Sequence, residues 1–154
     1  MNRTLGYIAI LAIGAFAGNM INIGLSYGTH WMSLEPANFI ASFNIDFPLL
    51  LGPTAATLMP ALAATVLLSF RARKQPGLHK QWLYALGLLL LTIAITASYH
   101  LPTNLAFMEP GFDLAEVSGR LNLWMVLHWV RIVVALLAGV FALNGLRAMV
   151  ANED

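Results

Sequence analysis

Four long apolar runs, at about residues 4–27, 47–70, 82–101 and 121–146, constrain this chain more than any other feature. Each reaches the roughly 20 residues that a helix needs to cross a ~30 Å hydrocarbon core. Lipid offers a backbone no hydrogen-bond partners, so an isolated apolar span satisfies its own amides and carbonyls by forming a helix. The whole composition agrees. Hydrophobic residues make up 59% of the 154, charged residues only 10%, against roughly 25% charged in a soluble domain. The chain is therefore read as all-α: an integral membrane antiparallel four-helix bundle, a single domain over residues 1–154, with the lipid bilayer as its solvent.

Charge sorts the connections by side. The middle one carries Arg71, Arg73, Lys74, His79 and Lys80; Arg3 precedes the first run and Arg147 closes the fourth. The other two hold Glu35, Asp46, Glu109, Asp113 and Glu116, with Arg120 at their edge. By the positive-inside rule the basic side is cytoplasmic. The expectation is N-in/C-in, a multi-pass protein of the plasma membrane with both termini cytoplasmic and His79 solvated in the basic loop. Pro48 suits the start of the second helix and Pro102 the end of the third. A net charge of +1 points to no nucleic-acid partner. The absence of cysteine excludes disulfides, thiolate metal sites and thiol nucleophiles.

Polar groups inside the spans are costly in lipid and mark candidate sites. Asn19, Asn22, Ser26 and His30 fall three, four and four residues apart, along one helical face. That stripe either lines a cavity or holds helices together, as amides and small residues do in membranes. In the fourth run Trp124, His128 and Arg131 share a face. Arg131 lies about 10 residues into its run, ~15 Å deep at 1.5 Å per residue. An arginine there costs roughly 2.5–3.5 kcal/mol on insertion scales, so it calls for an inward polar setting. With the third helix stopping at Pro102, His100 sits at the outer rim and Asn104 just beyond it. His30, His100 and His128 would then share the outer half, with Asp46 and Glu116 within reach from the loops. Three imidazoles allow a metal site at His30, His100 and His128, although no two share a ligand spacing on one helix. General acid–base use of His128 beside an anion-stabilising Arg131 is an equal alternative.

Taken together, the Gly-rich first helix, Leu101-Pro102-Thr103-Asn104 and Trp124-x-x-x-His128-Trp129-Val130-Arg131 resemble the anthrone-oxygenase-like family of small four-helix membrane proteins, largely a domain of unknown function. The resemblance spans nearly the whole chain. It implies oxidation of an anthrone to an anthraquinone with molecular oxygen and no established organic cofactor. By motif match it carries Asn104, Trp124, His128 and Arg131 over as site residues.

Two main functions follow. One is an oxidoreductase, a cofactor-independent or metal-dependent oxygenase acting on a lipophilic aromatic or quinone-like substrate that arrives from the bilayer. His128 would abstract a proton, Arg131 with Asn22 and Asn104 would stabilise the anion, and Asn19, Ser26, His30 and His100 would line the site. The other is a non-catalytic membrane protein holding a lipid, quinone or metal ion in that cavity. A transport path is less favoured in four short helices without inverted repeats, unless the chain forms a homo-oligomer.

Overall fold

The computed structural model describes residues 3–151; the chain ends themselves, and with them the expected sidedness of the termini, lie outside the described residues. Four helices fill it: α1 (Arg3–Met32), α2 (Pro36–Lys74), α3 (Pro76–Met108) and α4 (Leu114–Ala151), each long and apolar enough to cross a membrane. No strand occurs among the described residues. Short connections turn each helix back on its predecessor. The result is an antiparallel ring in which α1 packs on α2 and α4, and α3 packs on α4; of the neighbouring pairs, α2 and α3 touch least.

Local chemistry fixes the ends. Pro36 and Pro76 open α2 and α3 at positions where a missing N–H costs nothing. Asp113 Oδ1 accepts from the Ala115 amide at 2.9 Å and caps the start of α4. Gly111 turns the preceding chain with φ at 81°, a left-handed value suited to glycine. His79 is half-buried rather than solvated: Nδ1 donates to the Ser69 carbonyl at 2.8 Å and ties the start of α3 to the end of α2.

Two proline expectations are overturned. Pro48 does not start α2, which begins a full 12 residues earlier at Pro36 and runs through Pro48, Pro53 and Pro60. Asp46 interrupts the apolar run ahead of Pro48, yet Phe39, Phe43 and Leu50 keep a helical period and are buried. The Asp46 carboxylate is absorbed, accepting from Trp31 Nε1 at 3.1 Å and Ser42 Oγ at 2.9 Å. Pro102 does not end α3 either. A π-helical turn at Thr96–His100 precedes it and the helix continues to Met108. The carbonyl that the Pro102 ring would strike belongs to Ser98, inside that widened turn, where the ladder leaves more room.

Along the middle of α4 large apolar side chains face outward and small ones pack inward, as close helix association in lipid favours. On α4, Val126, Val133, Leu136 and Val140 are exposed, while Ala135, Ala138, Ala142 and Gly145 are buried. A Cβ on Gly145 would stand 2.8 Å from Trp82 Cε2, so α3 and α4 approach closely only because it is absent. At the end bearing connections 33–35 and 109–113, here the distal end, Trp31, Phe39, Phe43 and Phe107 are each 0% exposed. Ring centroids 4.9 Å apart for Trp31–Phe43 and for Phe39–Phe107 make these residues an interlocked aromatic cap.

Candidate functional site

Beneath the cap, Trp124, His128 and Arg131 follow one another down the inner face of α4, all buried. Trp124 and His128 stack at 4.9 Å between centroids and 7° between planes. His128 Nε2 donates to the Met20 carbonyl of α1 at 2.8 Å. A carbonyl only accepts, so in the neutral ring Nε2 carries the proton and the lone pair resides on Nδ1. That Nδ1 has no hydrogen-bond partner. The Met20 carbonyl lies just ahead of a π-helical turn at Ile23–Gly28, where the shift from i−4 to i−5 bonding loosens a helix's claim on its own carbonyls. Gly24 completes the approach: a Cβ there would lie 3.2 Å from His128 Cδ2.

From α3, Asn104 Oδ1 accepts from Trp124 Nε1 at 2.8 Å, a buried bond that fixes the indole. One turn earlier, His100 is 1% exposed, with its ring 5.0 Å from Trp124 and 6.1 Å from His128. Neither of its nitrogens closes a hydrogen bond. Arg131 sends Nη2 to the Met20 thioether at 3.2 Å, while Nε is buried without a partner. Among the described residues no carboxylate pairs with it; Glu116 is engaged on the surface by Arg120 at 2.6 Å. Met20, Thr54, His100, Asn104, His128 and Arg131 line a cavity of about 110 Å³, approaching the ~150 Å³ apolar void known to hold benzene.

The sequence-predicted residues divide into two groups. His100, Asn104, Trp124, His128 and Arg131 come together, with His100 and Asn104 inside the bundle rather than at or beyond its rim, because α3 runs through Pro102. Asn19, Asn22, Ser26 and His30 are not in this cavity. Asn19 Nδ2 donates to Thr54 Oγ1 of α2 at 2.9 Å, an interhelical tie. Asn22 and Ser26, exposed, bond each other at 3.1 Å, and His30 is exposed at the distal rim. The stripe faces aside because α1 turns its neighbouring face, Met20, Ile23, Gly24 and Gly28, inward against α4. His30 thus stays apart from His100 and His128, and no set of three His, Asp or Glu among the described residues is placed to hold a metal ion. Sequence reasoning missed Met20, whose carbonyl and thioether engage His128 and Arg131, and Thr54. Met20 carries no signal beyond its four-residue spacing from Gly24, and Thr54 none beyond its place next to Pro53.

No curated protein and no solved structure matches the chain. The family model for anthrone oxygenase matches residues 47–141. That stretch takes in His100, Asn104, Trp124, His128 and Arg131, and leaves α1 outside. With more than half of its length covered, including every cavity-lining residue that α3 and α4 contribute, this four-helix membrane protein belongs to the anthrone oxygenase family.

Proposed function

We propose that the protein is a plasma-membrane oxygenase that oxidises a lipophilic aromatic carbon acid of the anthrone type, with molecular oxygen as co-substrate. One observation carries the reading. A guanidinium and two imidazoles with free nitrogens share a buried cavity in which no carboxylate balances them. Such a site favours a developing anion. Two imidazoles with no third ligand beside a fixed cation suit a metal dication poorly.

The chemistry balances for anthrone itself, which with one O2 gives anthraquinone and one water. His128 Nδ1 takes a proton from the methylene carbon between the rings. The electron pair runs through the ring system to the ketone oxygen, and Arg131 stabilises the oxyanion. The carbanion then bonds to O2, and the peroxide anion takes the proton back from His128 to give a hydroperoxide. Removal of the second carbon proton by His100 expels hydroxide as the O–O bond breaks; that proton and the hydroxide leave as the one water, and the new carbonyl remains. Trp124 supplies a flat wall, Asn104 holds that wall in place, and His100 is the second proton acceptor. Asn22 has no part, since it lies outside the cavity. The basic connection and both termini are placed on the cytoplasmic side by the charge bias, which puts the cavity toward the outer leaflet.

The test is anthrone-dependent oxygen uptake by the purified protein in nanodiscs, with anthraquinone followed by absorbance. Removing a general base costs about 10²–10⁴ in rate, and His128→Ala is expected to lose at least the lower figure. Undiminished turnover by that variant would sink the assignment. Anthrone bound tightly without oxygen uptake by the intact protein would favour a ligand-binding role instead.

A further inference from the structure

A second cavity of about 220 Å³ adjoins the first, and the two share Thr54, Thr96, Leu101 and Arg131 as common wall. Its remaining lining includes Phe16, Leu58, Ile93 and Ala97. The threonines add little polarity. Thr92 Oγ1 donates to the Leu89 carbonyl at 2.7 Å, Thr96 Oγ1 to the Thr92 carbonyl at 2.7 Å, and Thr54 Oγ1 accepts from Asn19. With the hydroxyls of Thr92 and Thr96 so engaged, this volume offers a ligand mostly hydrocarbon, except on the sides of Arg131 and Thr54.

Access to these volumes is lopsided. The distal end is closed by the fully buried aromatic cap, and Trp31 of that cap touches Trp124 of the site at 5.8 Å between centroids. Sideways the barrier is thin. Both cavities lie along the α2–α3 seam, the least packed of the four. Leu51 and Leu101, which line the first cavity from opposite sides of that seam, are 53% and 47% exposed, on a surface that faces acyl chains.

We infer that the α2–α3 seam at Leu51 and Leu101 is a lateral entrance from the bilayer, and that the second cavity is a subsite for the apolar part of an amphipathic, lipid-dissolved ligand whose oxygen rests on Arg131. This rests on the functional reading above and extends it. A ligand crosses the seam without passing through water, leaves its outer hydrocarbon among Leu58, Ile93 and Ala97, rests its oxygen on Arg131 and presents its acidic carbon to His128. Soluble polar molecules meet the cap and are excluded.

The chain has no cysteine, so single thiols report cleanly. Leu101→Cys and, independently, Leu51→Cys are labelled in nanodiscs with N-phenylmaleimide, and anthrone binding is read by quenching of tryptophan fluorescence. Leu11→Cys, on α1 at 72% exposure and lining neither cavity, is the control. Labelling at 101 or 51 is expected to weaken anthrone binding at least tenfold relative to the same variant unlabelled. Prebound anthrone should slow labelling at these positions and leave position 11 unaffected. Complete labelling at both seam positions with anthrone affinity within twofold would overturn the entrance. Protection does not depend on turnover, so a failed His128→Ala test leaves this inference standing; an intact protein that binds no anthrone overturns both.

Discussion

His128 is held by two features that a sequence motif does not display, a carbonyl and an empty space. The Met20 carbonyl fixes the proton on Nε2 and leaves Nδ1 as the basic atom. Gly24 leaves room for the ring, since a Cβ would come to 3.2 Å from Cδ2 and 3.4 Å from Nε2. Gly24→Ala is therefore expected to push the imidazole by a few tenths of an ångström and to lower oxygen uptake well before it lowers thermal stability. Parallel loss of both would assign Gly24 to packing alone. Asn104→Ala strips Trp124 Nε1 of its buried acceptor. The cost in unfolding free energy should be about 1–2 kcal/mol, the lower part of the range for an orphaned buried donor because partners are also found in the unfolded membrane state. A denaturation midpoint unchanged within error would show that the indole finds another acceptor.

At the level of elements, two π-helical turns flank the cavity, one in α1 at Ile23–Gly28 and one in α3 at Thr96–His100. Each interrupts the 3.6-residue period where the site begins. The α3 turn ends on His100 and lets the helix pass Pro102, which carries Asn104 to the indole of Trp124. The distal cap joins three helices, with Phe107 of α3 wedged against Phe39 and Phe43 of α2 at 4.9 and 5.4 Å. Phe107→Ala should cost about 3–5 kcal/mol, the usual range for a buried aromatic. It should also admit aqueous iodide to the tryptophans. Quenching that stays at the wild-type level would mean that the cap is not what separates the cavity from water.

For the molecule as a whole, the asymmetry of packing matters most. In the apolar stretch of each helix 39% of the residues are buried in α1 and α4, against 22% in α2 and α3, so the two more buried helices carry half the site and the two less buried ones face them across the cavity. The charge bias gives the expected orientation. Gln75→Cys, in the basic connection, is expected to react with a membrane-impermeant maleimide only after cells are opened, whereas Ser33→Cys should react in intact cells. The opposite pattern would invert the bundle and move the cavity to the inner leaflet.

Composition and periodicity determined the solvent, the number of helices and the inward face of α4, because hydrocarbon tolerates a charged or polar side chain in few places and a helix repeats every 3.6 residues. Trp124, His128 and Arg131 were legible for that reason. Tertiary structure decided which face of α1 turned inward: the amide stripe was the conspicuous one, yet Gly24 and Gly28 permit the closer approach to α4, and closeness of packing governs association where lipid solvates every apolar face alike. It also decided where helices end. Proline breaks a regular helix and a charge interrupts an apolar span, but inside this bundle a widened turn makes room for Pro102, and Trp31 with Ser42 satisfies the carboxylate of Asp46.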